Sequence, residues 1–234
     1  MRRMVEPKNI VFASCDRKYF LEHGEAFVTS AYMNGETPHI HIQSEKREDV
    51  RELEKKITEK FPSFRLHYFD YRSKYDRAES RSCFAIGRFI FGQQLHHNNL
   101  LILDIDSFIR KPINWSDFSK IDYSLFFRDP LPGTIGWEKE GTHVAAGAVY
   151  VSHRSRLLEI TMNEINIHPS LPWFVDQRAL HRAHLRLKDE ENYCQMPKTY
   201  IDWEFSPDSI IWTGKGQRKK SEVYLNEKST YFST

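Results

Sequence analysis

Asn98-Asn99-Leu100-Leu101-Ile102-Leu103-Asp104-Ile105-Asp106-Ser107 is the most informative run in the chain. The apolar residues Leu100 to Leu103 read as a short strand buried on both faces. The strand runs straight into a pair of carboxylates with one apolar residue between them. Extended backbone sends alternate side chains to the same side, so Asp104 and Asp106 are expected to share a face. Like charges that close are unfavourable unless something positive lies between them. A hard divalent cation, held by oxygen ligands and completed by a ligand's phosphates, suits the pair. The carboxyl end of a parallel strand is also where open α/β sheets bind ligands. The same residues would equally serve as a turn with a helix cap.

The chain before this run alternates between strand and helix patterns. Asn9 to Ala13 reads as a buried strand ending in the polar Ser14-Cys15-Asp16. Asp16 and Tyr19 then lie near that strand's carboxyl end, as ligand contacts or as a helix cap and a packing residue. Ala26 to Ala31 reads as a helix end, punctuated by Gly35 and Pro38. His39-Ile40-His41-Ile42 alternates as a second strand, its histidines sharing one face either as a metal pair or as exposed side chains. Ser44 to Lys60 carries a helical stripe of Val50, Leu53 and Ile57, and Pro62 ends it. Phe64 to Phe69 reads as a third strand. A charge-dense stretch, Asp70 to Ser82, leads into an apolar helix over Cys83 to Leu95. Arg81 at its beginning could offer a fixed guanidinium to a phosphate, or sit on the surface. Strand, helix, strand, helix, strand is the signature of a mostly parallel sheet with helices on its faces.

After the carboxylate pair, Tyr123 to Phe127 reads as another strand and Asp129 to Gly141 as a long loop of the functional kind. The small residues Ala145, Ala146 and Gly147 open an apolar strand, expected to lie close to a ligand or a packed helix. Leu157 to Ile165 forms an amphipathic helix. Asp176 and Gln177 open the next helix, where Asp176 is either a first-turn cap or a carboxylate presented for chemistry. Lys215-Gly216-Gln217-Arg218-Lys219-Lys220 is a positive, glycine-containing loop that could clamp a phosphate.

Composition sets the outer limits. With 234 residues, 40% hydrophobic and 28% charged, the chain has the make-up of a globular protein that buries a sizeable core. A net charge of +2 gives no global field for a nucleic-acid duplex. The 3 cysteines are widely spaced, which argues against a disulfide framework or structural zinc and favours a reducing, cytoplasmic setting. No apolar run reaches the length of a membrane span, and no signal-peptide pattern follows the N-terminal charges.

Together these segments resemble the GT-A-fold glycosyltransferases that use a nucleotide-diphosphate sugar and carry a DxD motif, especially the glycogenin/galactosyltransferase-like branch. The resemblance lies in Val11 to Asp16 with Tyr19, in Arg81 followed by Leu101 to Asp106, in Ala145 to Val149, in Val175-Asp176-Gln177, and in Ile210 to Lys219. It implies one α/β domain over residues 1–234 with a mostly parallel, Rossmann-like sheet flanked by helices. Residues 1–110 would form the nucleotide-sugar half and 111–234 the acceptor half with a closing loop. It implies Mn²⁺ or Mg²⁺ on Asp104 and Asp106, a UDP-sugar as the favoured donor, and a hydroxyl of a glycan or other acceptor. Ala13, Asp16 and Tyr19 would hold the base and ribose; Arg81, Lys215 and Lys219 the sugar or diphosphate. Asp104, Ala146, Gly147 and Gln177 would complete the donor site, and Asp176 would be the catalytic carboxylate. The chain departs from the pattern where the family often has a closing-loop histidine, here Ile211 or Trp212, and where Ala145 replaces an asparagine. A haloacid-dehalogenase-like phosphatase with Asp104 as nucleophile is the rival enzyme class, although Asp189-Glu190-Glu191 does not follow the apolar run that class needs. A sugar-nucleotide-binding module without turnover is the non-enzymatic alternative.

Overall fold

The computed structural model describes residues 9–43, 50–68, 80–128, 143–168 and 170–232, apart from the side chains of residues 80 and 81. In chain order the elements are β1 (Asn9–Asp16), α1 (Arg17–Met33), β2 (Pro38–Gln43), α2 (Arg51–Lys60), β3 (Arg65–Tyr68), α3 (Ser80–Gly92), β4 (Asn99–Leu103), β5 (Ser107–Ile109), β6 (Tyr123–Phe127) and β7 (Val144–Ser152). Then come α4 (Leu157–Ile167), α5 (Val175–Leu187), β8 (Tyr193–Gln195), β9 (Ile201–Asp202), β10 (Ile211–Thr213) and α6 (Glu222–Thr230).

The large sheet has the order β3-β2-β1-β4-β7-β6-β8, and a second sheet has the order β5-β10-β9. β1, β2, β3 and β4 are parallel, as the alternation of patterns implies. Among the described strands of the large sheet, β7 alone runs against the others, pairing antiparallel with both β4 and β6. That reversal positions the site. It brings the small residues that open β7 to the edge where β1 and β4 end.

Both faces of the sheet are covered, so Ile10 to Ala13 of β1 and Leu100 to Leu103 of β4 are all apolar. Val11, Ala13 and Cys15 point into a core shared with α1, α2 and the small sheet. Ile10 and Phe12 point the other way, into a core shared with α3, α4 and α5. α1 begins where Asp16 accepts a hydrogen bond from the Tyr19 N–H at 2.7 Å, capping one orphan donor of the first turn. It extends well beyond the Ala26–Ala31 patch. Its buried face is interrupted by His23, Glu25, Thr29 and Ser30, which hides the helical stripe in the sequence.

The strand histidines are not exposed. His41 is buried and shares a 2.8 Å hydrogen bond with Ser14 Oγ, while His39 lies 3.2 Å from His67. β2 is covered on both faces, so no side of it is left for solvent. The described part of the Ser44–Lys60 helix is α2. The charge-dense stretch before residue 80 and the Asp129–Gly141 loop lie outside the described residues.

His23 sets a pH limit on this packing. It is 1% exposed, and burial, then the charges of Lys228 and Lys219, push its pKa down to about 3. The ring stays neutral in the folded protein but takes a proton near pH 6.5 once unfolded. Stability is therefore full above pH 6.5 and falls as the pH drops from there toward 3. At pH 5 the loss from this one residue should be about 2 kcal/mol. Urea unfolding of the His23→Gln variant should show a flatter profile between pH 7 and 5; an unchanged slope would assign the acid sensitivity elsewhere.

Candidate active site

The chain turns at once after β4. Ser107 N–H donates to the Asp104 carbonyl at 3.1 Å, so Asp104 to Ser107 form a β-turn and not an extension of the strand. The same-side expectation from extended backbone is corrected accordingly. Asp104 is still tied to β7 of the large sheet, whereas the Asp106 carbonyl is bound outside it. Asp104 N–H donates to Gly147 O at 3.0 Å, and the Asp106 carbonyl accepts from Gly214 N–H at 2.8 Å and Tyr224 Oη at 2.9 Å. The two carboxylates still lie close enough to feel each other: burial, then the charge of Asp104, raises the pKa of Asp106.

Asp104 is held by Arg88. One guanidinium nitrogen donates both to Asp104 Oδ1 at 2.7 Å and to the Ala146 carbonyl at 2.9 Å, while Nε donates to Ala85 O at 3.1 Å. Burial opposes the charge on Asp104, but the charge and hydrogen bond of Arg88, together with the charges of Lys215 and Lys219, keep that carboxyl below the usual range. Ala146 is available because β7 departs from β6 there. The register jumps from Leu125 opposite Val149 to Phe126 opposite Ala145, leaving Ala146 to Ala148 out of that ladder. Gly147 completes the fit. A Cβ on it would lie 2.0 Å from Asp104 Oδ2, so no other residue can stand there without moving the carboxylate.

Asp106 faces a different cation. Lys219 Nζ lies 3.4 Å from Asp106 Oδ2, donates to Tyr19 Oη at 2.9 Å, and sits 4.6 Å from the centre of the Tyr19 ring. These contacts keep its pKa raised against the cost of burial. Tyr19 is in place because Asp16 caps its helix. Ala13 is fully buried in β1 between Ile40 and Leu103, inside the core and away from this pocket's surface. Lys215 opens the short 3₁₀ turn Gly216–Lys220, and its charge acts on Asp104, Asp106 and Asp176.

A third carboxylate comes from α5. Asp176 is 4% exposed; burial raises its pKa and Arg88 works against that rise. Its neighbour Gln177 accepts a hydrogen bond from Arg128 at the end of β6, a buried cation whose pKa is lowered by burial and supported by Asp176 and Asp104. Just before them Phe174 holds a left-handed backbone, φ 71°, which is strained for a bulky residue. The turn that delivers Asp176 thus stores conformational energy, and Trp173 beside it is 41% exposed.

The sequence pattern points to Arg81 and not to Arg88 or Arg128. Arg81 lies in the first turn of α3, with its side chain outside the described residues. Arg88 did carry a signal: it is the lone charge between Cys83 and Leu95. Arg128, at the end of an apolar strand, carried none beyond its position. Of the closing-loop residues, Ile211 is in the core and Trp212 packs under Arg110 at 3.8 Å, so neither reaches the carboxylates.

The donor set can be judged for a divalent cation. Among the described residues, no group of three or more His, Cys, Asp or Glu could hold one. Asp104 and Asp106 offer hard oxygen ligands. Such a set fits Mg²⁺ or Mn²⁺ as a partial cradle, with phosphate oxygens and water supplying the rest.

No family model matches the chain, and no curated protein matches it in sequence. Its backbone, however, superposes on solved glycosyltransferases. The bifunctional glycosyltransferase WbbM matches over 100% of this chain and 52% of its own, with a TM-score of 0.63 at 10% identity. The galactosyltransferase LgtC, solved with donor and acceptor sugar analogues, matches over 95% of both chains, with a TM-score of 0.61 at 10% identity. The glycosyltransferase GlyE of Streptococcus pneumoniae TIGR4 matches over 97% of this chain and 63% of its own, with a TM-score of 0.54 at 13% identity. The chain thus spans about half of WbbM. At these identities the likeness establishes the fold, an α/β domain of the GT-A glycosyltransferase type with a central sheet flanked by helices.

Proposed function

We propose that the protein is a glycosyltransferase that moves a hexosyl group from a nucleotide-diphosphate sugar, with UDP-sugar first among donors, to a hydroxyl of a glycan or another acceptor. The observation that carries this reading is the convergence of Asp104, Asp106 and Asp176 with Arg88 and Lys219 at the carboxyl edge of the sheet. That edge is where open α/β sheets bind ligands. Alternating charges fit a ligand that is anionic at one end and hydroxylated at the other.

Asp104 and Asp106 would hold Mn²⁺ or Mg²⁺, whose chemistry when bound is Lewis-acid stabilisation of charge on the leaving phosphate. Arg88 fixes Asp104 in one orientation. Lys215 and Lys219 bring positive charge to the diphosphate. Tyr19 offers a ring and a hydroxyl to the nucleoside. Gly147 keeps the backbone beside Asp104 bare, and Gln177 is steadied by Arg128. Asp176 is the carboxylate assigned to the sugar and to the chemistry. Three free cysteines suit a reducing compartment, and the cytoplasm is the setting proposed. No described helix is long and apolar enough to cross a membrane.

Calorimetric titration of UDP and of GDP, with Mn²⁺ and then with EDTA, tests the donor reading. Metal-dependent binding lost in the Asp104→Ala/Asp106→Ala double variant is the expected result. Release of sugar from a bound donor then separates an enzyme from a binding module. Failure of both nucleotides, together with Mg²⁺-dependent hydrolysis of a phosphomonoester, would replace this reading by a phosphatase with Asp104 as nucleophile.

A further inference from the structure

We propose that Lys219 is a tethered cation that holds Asp106 until the diphosphate of the donor draws it away, so that metal and donor each favour the other's binding. The proposal rests on the donor reading above for its second half and on geometry alone for its first.

The two carboxylates are neutralised in unlike ways. Arg88 is fixed: besides Asp104 it donates to Ala85 O and Ala146 O, and its side chain is 12% exposed. Its planar fork cannot leave Asp104 without abandoning those carbonyls. Lys219 has no such anchors among the described residues. Its partners are the Tyr19 hydroxyl and one oxygen of Asp106, the latter at a long 3.4 Å. A lysine head is a point charge on a flexible stem, free to swing where the stem's root is held. Here the root is held. Gly214 N–H is bound to Asp106 O, and a Cβ on Gly214 would lie 2.9 Å from both Lys219 Cβ and the Tyr224 ring, so the backbone there is packed tight.

An ammonium group and a divalent ion cannot both occupy the open side of Asp106. They compete for the same lone pairs and repel each other in a poorly screened pocket. With only two carboxylates in the cradle, a divalent ion arriving alone must displace Lys219 and leave its charge facing the ion. A nucleoside diphosphate removes that penalty. Its oxygens take the ammonium and complete the coordination of the ion. Each ligand then improves the site for the other, and linkage makes the effect reciprocal. Tyr19 gives up its ammonium contact in the same step, which ties this aromatic in the first turn of α1 to occupancy of Asp106.

The test measures Mn²⁺ binding directly, by loss of the free-ion paramagnetic resonance signal, with and without UDP. Wild-type protein should bind Mn²⁺ weakly alone and at least tenfold more tightly with saturating UDP. Lys219→Gln should bind Mn²⁺ alone about tenfold more tightly than wild type, and UDP should then improve it less than threefold. Lys219→Arg, which keeps a cation at the position, should resemble wild type for Mn²⁺ alone, and circular dichroism checks that both variants are folded. Lys219→Gln binding Mn²⁺ alone no better than wild type would overturn the competition. Wild-type Mn²⁺ affinity unmoved by UDP that does bind would overturn the coupling. If neither UDP nor GDP binds under any condition, the donor reading fails instead, and the Mn²⁺-only comparison still judges the competition.

Discussion

Arg88→Met should lower the stability of the fold by about 3 kcal/mol and abolish donor binding. Removing one member of a buried ion pair leaves the other charged, desolvated and unpaired, which costs about 3–5 kcal/mol where burial is complete. Here the Arg88 and Asp104 side chains are 12% and 23% exposed, so water recovers part of that cost. Asp104 Oδ1 and the Ala146 carbonyl lose the guanidinium donor at once, while the Ala85 carbonyl, inside α3, keeps its place in the helix ladder. For a chain of this length the change corresponds to a fall in Tm of roughly 6–12 °C. Differential scanning calorimetry measures it directly. Asp104→Asn in the same background should recover part of the loss, because it removes the orphaned charge. A Tm within about 2 °C of wild type for Arg88→Met would mean that Asp104 finds another partner.

Gly147→Ala should separate stability from function. The added methyl would lie 2.0 Å from Asp104 Oδ2 and 2.5 Å from Cγ, far inside van der Waals contact. Asp104 cannot yield on its other side, where Arg88 grips Oδ1. The backbone of β7 or the Asp104–Ser107 turn must shift instead, at about 1–3 kcal/mol for an overpacked site. Displacing a reacting group by about an ångström costs on the order of 100-fold in rate, so transfer should fall by that factor while the protein still folds. Steady-state transfer beside thermal melting tells the two apart. A variant with native turnover would show that Asp104 need not stay where Gly147 lets it lie.

Much of the fold could be read from local pattern, and the reason is physical. A strand buried on both faces favours an unbroken apolar run, so the centres of β1 and β4 announce themselves, and the connecting helices carry enough periodicity to imply a parallel sheet. Strand direction leaves no such trace. Nothing in Val144 to Ser152 says that β7 runs against its neighbours, yet that reversal brings Ala146 and Gly147 to Asp104. The small residues there do mark a close approach, made by the Asp104 carboxylate. Charge on a helix was legible in kind but not in place. Arg81 stands out in a charge-rich stretch, whereas Arg88 is the one α3 cation seen to meet Asp104, because an isolated charge on an apolar helix must find a partner inside. Of α1 only the Ala26–Ala31 end is legible, for the opposite reason: polar residues on its buried face break the stripe.

The contacts that close on Asp106 also fix when the site can come into being. Lys219 reaches Tyr19 across 200 positions of sequence, and both Lys219 and Tyr224 reach Asp106 across more than a hundred. Every strand of the large sheet lies before residue 196. Translation delivers the chain from its amino end, and segments fold as they emerge. A nascent chain can therefore assemble the sheet, seat Arg88 on Asp104, and still lack the cation and the hydroxyl that finish the pocket. Long-range closures of this kind are also the slowest to form. The pocket around Asp106 is therefore completed only after the sheet's own residues have emerged, so a chain that stops short of Lys219 has the scaffold without the contacts that close on it.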